Sequence, residues 1–94
     1  MAFVYILYSE TNDTFYVGSC KNLNERLIEH QTKVFEKSYT SDVNDWVLFF
    51  SISDLNYSQA RKIELHIKRM KSKKYITNLK THPDISKKLT LKYS

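Results

Sequence analysis

The chain alternates between short apolar runs, rich in β-branched and aromatic residues, and longer amphipathic segments with helical spacing. The first apolar run, Phe3 to Tyr8, is followed by the polar residues 9–14 and then by a second short run, Phe15 to Val17. This pattern predicts a β-hairpin with a loop of about six residues. A third run, Trp46 to Ile52, is almost entirely apolar. Because such runs are typical of strands buried on both faces, we expect it to be the central strand.

The segment after the hairpin has the features of a helix start. Asn22 can cap the helix, and Glu25 stands three positions later, where the partner of a capping box belongs. Leu23 and Leu27 form the apolar stripe of a helix that runs to about residue 31. Residues 32–45 show no periodicity and are expected to form a loop.

Three further helices are predicted after the third strand. Asn56 or Ser58 caps a helix over about 58–71, Ser72 caps a shorter helix through Leu79, and Pro83 opens a last helix. In the first of these helices, the positions expected to face inward are Ala60, Ile63, Ile67 and Met70. In the last helix they are Ile85 and Leu89.

These elements give an α+β fold: a three-stranded, mostly antiparallel sheet flanked by helices in the order β-β-α-β-α-α. We expect one domain over residues 1–80, with residues 81–94 as a basic helical extension of that same domain.

The amino-acid composition indicates the class of protein to which the chain belongs. A chain of 94 residues that is 41% hydrophobic supports one small core, and the single cysteine excludes a disulfide framework. The apolar N-terminus lacks basic residues and is too short for a signal peptide or a membrane span. These features favour a cytoplasmic protein that does not enter a membrane.

Charge is distributed unevenly along the chain. Residues 1–60 carry four Lys or Arg against eight acidic residues, a net charge of −4, whereas residues 61–94 carry eleven against two, a net of +9. A basic half indicates a polyanion-binding surface, because Lys and Arg bind phosphates with release of counterions. A lysine-rich solvated surface is the alternative explanation.

Gly18 is the only glycine, where an average chain of this length has about 6 or 7. Glycine permits a positive φ or the close approach of another group to the backbone. Tyr16 precedes it, and Arg26 and His30 follow one helical turn apart. Together they suggest a site that handles phosphate. The alternative is a surface arginine in an ion pair beside a half-buried histidine.

Glu64 flanks the apolar stripe of the second long helix. It can hold a hard divalent cation, since one carboxylate with waters and a substrate phosphate commonly holds Mg²⁺. It can equally form an ion pair with Lys68, four residues on. Tyr5 and Tyr16 lie on the two hairpin strands, where tyrosine commonly serves packing but can also assist proton transfer.

Taken together, these residues resemble the GIY-YIG nuclease family, in particular its small single-domain bacterial members. The first signature tripeptide corresponds to Phe3-Val4-Tyr5 and the second to Tyr16-Val17-Gly18. Arg26, His30 and Glu64 follow in register, and the resemblance covers about residues 2–80. Phe3 replaces the glycine of the first tripeptide, and acidic residues occupy the 42–45 segment, where relatives often carry basic residues and a proline.

The resemblance implies an endonuclease that hydrolyses DNA phosphodiester bonds with one divalent cation, Mg²⁺ or Mn²⁺, in DNA repair, recombination or processing. It implies that Tyr5 or Tyr16 activates water, that Arg26 neutralises phosphate charge and that Glu64 binds the metal. His30 would transfer protons or position phosphate, and Gly18 would permit close approach of substrate or helix. Further substrate-binding candidates are Lys21, Tyr39, Lys68, Lys71 and Asn78.

Two other functions are compatible with the same residues. The fold can serve as a nucleic-acid-binding module without cleavage, or as a structural protein in which Arg26 and Glu64 only form ion pairs. The expected partner is DNA, including single-stranded or branched forms. Leu65, apolar on the outer face of its helix, indicates a weak homodimer.

Overall fold

A computed structural model describes residues 1–31 and 46–94, except for the side chains of residues 29–31. The predicted loop over 32–45, with Tyr39 and the acidic 42–45 segment, lies outside the described residues. Within these ranges, no helix is long and apolar enough to cross a membrane.

Three antiparallel strands form the sheet in the order β2-β1-β3. The strands are β1 (Ala2–Ser9), β2 (Thr14–Cys20) and β3 (Val47–Leu55). The α+β fold and the hairpin are confirmed, although the hairpin loop is shorter than expected because β1 and β2 extend to Ser9 and Thr14.

The prediction that the third strand is central was wrong. β1 lies in the middle of the sheet, and β3 is an edge strand whose first two residues are exposed, Val47 by 57% and Leu48 by 42%. The apolar residues of β3 do not all reach a core: Val47 and Leu48 are exposed, whereas Phe49 and Phe50 are partly buried against other apolar side chains. The residue that is buried there is Trp46, directly before the strand.

The described part of the chain contains four helices: α1 (Leu23–Gln31), α2 (Tyr57–Met70), α3 (Lys73–Thr81) and α4 (Pro83–Lys92). Their caps match the sequence pattern. The Glu25 amide donates to Asn22 Oδ1 at 3.0 Å, Asn56 and Gln59 form a capping box, and the Tyr75 amide donates to Ser72 Oγ at 3.1 Å. Such caps satisfy amides that have no partner within the helix.

The sheet separates two cores because successive strand residues point to opposite faces. Val4 and Ile6 face a large core shared with α2, α3 and α4, whereas Tyr5 and Leu7 face a smaller core covered by α1. Leu89 is buried in the larger core, so α4 packs on the same hydrophobic core as α2 and α3. Met70, expected to be inward, is 45% exposed because it lies at the end of α2.

Candidate active site

Tyr5 and Gly18 are directly paired across β1 and β2. The Tyr5 ring crosses over residue 18, so a Cβ built on Gly18 would lie 2.5 Å from Tyr5 Cζ and would overlap the hydroxyl. Gly18 does not have a positive φ. The glycine is therefore explained by close approach of a group to the backbone, and that group is the ring of Tyr5.

Tyr16 lies two residues before Gly18 and so shares its face of the sheet. Its ring centroid is 6.3 Å from that of Tyr5 and 6.3 Å from that of Trp46, which it meets edge to face. Tyr5 is only 2% exposed, whereas Tyr16 is half-buried. Of the two tyrosines, Tyr16 is the one that solvent reaches.

Arg26 extends from the first turns of α1 and is half-buried. It lines a cleft of about 350 Å³ together with Lys21, Asn22 and Tyr57. The Lys21 ammonium lies 5.4 Å from the centre of the Tyr57 ring. The cleft brings two cationic side chains, Lys21 and Arg26, and one carboxylate, that of Glu25, to the N-terminal end of α1.

Glu64 is a nearly buried carboxylate, 4% exposed, on the side of α2 that faces β2. The Ser19 hydroxyl donates to its Oε1 at 2.5 Å, and Arg61 donates to the same oxygen at 3.3 Å. The Lys68 ammonium donates to Oε2 at 2.6 Å. The ion pair anticipated from the i,i+4 spacing is therefore present, within a larger group of donors.

The two sides of the site meet at the outer edge of β2. Gly18 and Ser19 are consecutive, so one lies under the Tyr5 ring while the other contacts Glu64 from the opposite face. Burial raises the pKa of Tyr5 well above its ordinary value, and the charge of Glu64 adds to this shift while that of Arg26 opposes it.

The remaining predicted residues are more scattered. His30 lies in α1, but its side chain is outside the described part of the chain, as is the whole of Tyr39. Lys71 is the exposed C-cap of α2, with a left-handed backbone. Asn78 is half-buried in α3.

A groove of about 350 Å³ runs along the edge of β2. Residues of β2, the end of α2 and the start of α3 line it, and its rim carries the lysines Lys68, Lys71 and Lys73. Lys73 also binds Asp13, donating to its backbone carbonyl at 2.7 Å and to its carboxylate at 3.3 Å. Lys68 belongs both to this groove and to the group around Glu64.

The residues of the site are compatible with a divalent cation that is held by one carboxylate, that of Glu64. No group of three or more His, Cys, Asp or Glu capable of holding a metal occurs among the described residues. A cation at Glu64 would therefore depend on that carboxylate, on waters and on a substrate phosphate, which suits Mg²⁺.

Sequence reasoning missed Ser19 and Arg61, the two donors to Glu64 Oε1. Arg61 stands three residues before Glu64, so the helical spacing could have indicated it. Ser19 comes from a different element, 45 residues away in sequence. The only signal in the sequence was that Ser19 follows Gly18 directly in a strand, so the two residues face opposite sides of β2.

Comparison with known proteins decides the family. The model of the GIY-YIG catalytic domain matches residues 1–76, most of the chain. The chain belongs to the GIY-YIG family. Its members are generally endonucleases, and DNA is the substrate that the family implies.

A curated relative of this GIY-YIG domain is viral. The UPF0213 protein of the VLF1-GP41 intergenic region of Autographa californica nuclear polyhedrosis virus is 34% identical over 70 residues. The match covers 74% of this chain and 66% of the relative, slightly less than two thirds of its length. Because this relative is viral, the expectation of a bacterial source stays a prediction. No solved structure matches the chain.

Proposed function

We propose that this GIY-YIG protein is a divalent-metal-dependent endonuclease that hydrolyses DNA phosphodiester bonds. The observation that supports the proposal is that the consecutive residues Gly18 and Ser19 of β2 contact the buried Tyr5 ring and the buried carboxylate of Glu64. With Tyr16 and Arg26 on the Tyr5 side, these residues supply the cation, carboxylate and phenols that can bind a phosphate and manage the protons of its hydrolysis.

Arg26 acts on the phosphate itself. Its guanidinium offers paired N–H donors to the non-bridging oxygens and neutralises the negative charge that grows at phosphorus. Glu64 would hold the divalent cation, which when bound would supply a Lewis acid for a phosphoryl oxygen and lower the pKa of a bound water. Hydrolysis adds the water oxygen to phosphorus, breaks one P–O ester bond and delivers a proton to the departing oxygen.

The tyrosines divide the proton work according to burial. The pKa of Tyr5 is raised by burial and by Tyr16 and Glu64, so its phenol remains protonated at neutral pH and serves as a hydrogen-bond donor. Tyr16 is half-buried, and water can reach it, so it is the better candidate for orienting the attacking water.

Other residues complete the site in this proposal. His30 transfers protons or positions phosphate from α1, and Gly18 leaves the space in which the Tyr5 ring sits. Substrate contacts come from the positive groove along β2 and from the cleft beside α1. We assign Lys68 and Lys71 to the groove and Lys21 to the cleft. Tyr39 and Asn78 are proposed as further substrate-binding residues outside these two surfaces. The substrate is DNA undergoing repair, recombination or processing in the cytoplasm, with single-stranded or branched forms included.

A second candidate function is a nucleic-acid-binding module without cleavage. One observation favours it: both oxygens of Glu64 already accept hydrogen bonds, from Ser19, Arg61 and Lys68. A carboxylate satisfied in this way has a structural role whether or not a metal binds.

Cleavage by the variant Glu64→Gln separates the two functions. Gln keeps the shape of Glu64 and an oxygen for Ser19 but loses the charge that binds a cation. We expect wild-type protein to cut DNA with Mg²⁺ or Mn²⁺ and the variant to lose about 100-fold or more in rate, while DNA affinity changes little.

Asp84→Asn is the matched control, because it removes an exposed carboxylate from α4. It should cut as wild type does. Wild-type protein that binds DNA but cuts no single-stranded, duplex, flap or branched form with either metal would establish the binding module instead. Absence of salt-dependent DNA binding would exclude both functions.

A further inference from the structure

Glu64 and its partners differ sharply in exposure. The Glu64 side chain is 5% exposed, whereas the Arg61 and Lys68 side chains are 52% and 46% exposed. An ionised carboxylate offers about four acceptor positions on its two oxygens. Ser19 and Arg61 use two on Oε1, and Lys68 uses one on Oε2 at the short distance of 2.6 Å.

This arrangement leaves Glu64 fixed and Lys68 free to move. Glu64 is enclosed between α2 and β2, so its carboxylate cannot turn to water without breaking the bond to Ser19. Lys68 has a flexible four-carbon stem and half of its surface in solvent, so its ammonium can leave at low cost. A divalent cation on Oε2 would stand beside that ammonium, and the two like charges repel.

We propose that Lys68 takes the place of the divalent cation on Glu64, so that metal binding requires its ammonium to leave. The inference rests on the proposed function in that it assumes Glu64 to be the metal ligand. Lys68 is in this sense a positioning residue: it neutralises the buried carboxylate before the metal arrives and sets the affinity with which the metal binds.

The departing ammonium has a defined place to go. Lys68 also lines the groove along β2, whose rim carries Lys71 and Lys73. An ammonium released from Glu64 adds its charge to that rim, where the phosphodiester backbone of the substrate would lie. Metal binding at Glu64 thereby strengthens phosphate binding in the groove.

The test measures Mn²⁺ binding without DNA, by titration calorimetry on the full chain. Lys68→Met removes the charge and keeps an apolar stem, and should bind Mn²⁺ about tenfold more tightly than wild type, because a charge-assisted hydrogen bond no longer competes. Lys62→Met removes an equal charge from an exposed position of α2 and should leave the affinity unchanged. Glu64→Gln identifies the part of the binding that depends on Glu64.

A second measurement uses the wild-type chain, so it does not depend on the folding of a variant. In ¹⁵N-lysine NMR, Mg²⁺ should shift the Nζ resonance of Lys68 and leave that of Lys62 in place. Equal or weaker Mn²⁺ affinity in Lys68→Met, or a Lys68 resonance unmoved at saturating Mg²⁺, would overturn the proposal. The proposal would also be overturned if neither wild type nor Lys68→Met showed Mn²⁺ binding that depends on Glu64. Failure of the proposed function looks different: metal binds at Glu64, yet no DNA is cut.

Discussion

Residue 18 tolerates no side chain because the Tyr5 ring fills the space where a Cβ would lie. The sequence identified this glycine as unusual by its rarity, and the neighbouring tyrosine and arginine indicated a site. It did not identify what approaches the backbone, because the answer depends on the register of β1 against β2. The pairing of Tyr5 with Gly18 supplies that register.

Gly18→Ala should destabilise the fold by about 1–3 kcal/mol, because the new methyl overlaps a buried ring that cannot leave its core. Urea unfolding measures the change. In the Tyr5→Leu background, Gly18→Ala should cost much less than it does in wild type, since the smaller side chain vacates the space over residue 18. If the two substitutions were simply additive, the ring would not be the cause.

Glu64 shows how far a single residue can be predicted. Helical spacing correctly gave its ion pair with Lys68, a contact within one element. Its burial and its bond to Ser19 come from the packing of α2 on β2, which no local pattern records. The features of Glu64 that the sequence could not predict are therefore those that depend on contacts between elements.

At the scale of elements, caps and amphipathic stripes located the helices well, since both signals are local. β3 was placed wrongly because an apolar run reports hydrophobicity and not position in a sheet. Val47 and Leu48 are apolar but exposed at the sheet edge, while β1, equally apolar, is the strand that is paired on both sides.

The contact between α2 and α4 should make stability depend on pH. His66 Nδ1 lies 3.0 Å from the Tyr93 hydroxyl at the end of α4, and its ring meets that of Tyr93 edge to face and also faces Tyr75. Burial lowers the pKa of His66, and the positive charges of Lys92 and Arg69 lower it further. The folded state therefore favours neutral His66, and the unfolded state takes up a proton more readily.

The resulting stability is present above the ordinary histidine pKa of about 6.5 and is lost as the pH falls through the lower pKa of the folded state. Urea unfolding of wild type should show a drop in free energy between about pH 7.5 and about pH 5.5 that His66→Gln lacks in part. His82→Gln, at the exposed junction of α3 and α4, should keep the wild-type slope. Equal slopes in all three proteins would contradict the assignment.

At the scale of the whole molecule, the basic C-terminal third of the sequence does not spread its charge evenly around the site. Lys68, Lys71 and Lys73 gather at the groove along β2, next to Glu64, whereas Lys87 and Lys88 lie on α4. The sequence predicted a polyanion surface from net charge alone. The turn between α2 and α3, which the left-handed Lys71 makes possible, determines where that surface lies.

The groove makes a quantitative prediction for DNA binding. Each lysine that contacts a phosphate contributes about 0.9 to the slope of log affinity against log salt on duplex DNA. Lys71→Gln with Lys73→Gln should therefore lower the slope by about 1–2, measured by fluorescence anisotropy across a salt series. Lys87→Gln with Lys88→Gln changes the net charge equally and should leave the slope unchanged. An equal loss in both pairs would show that net charge, rather than the groove, binds the DNA.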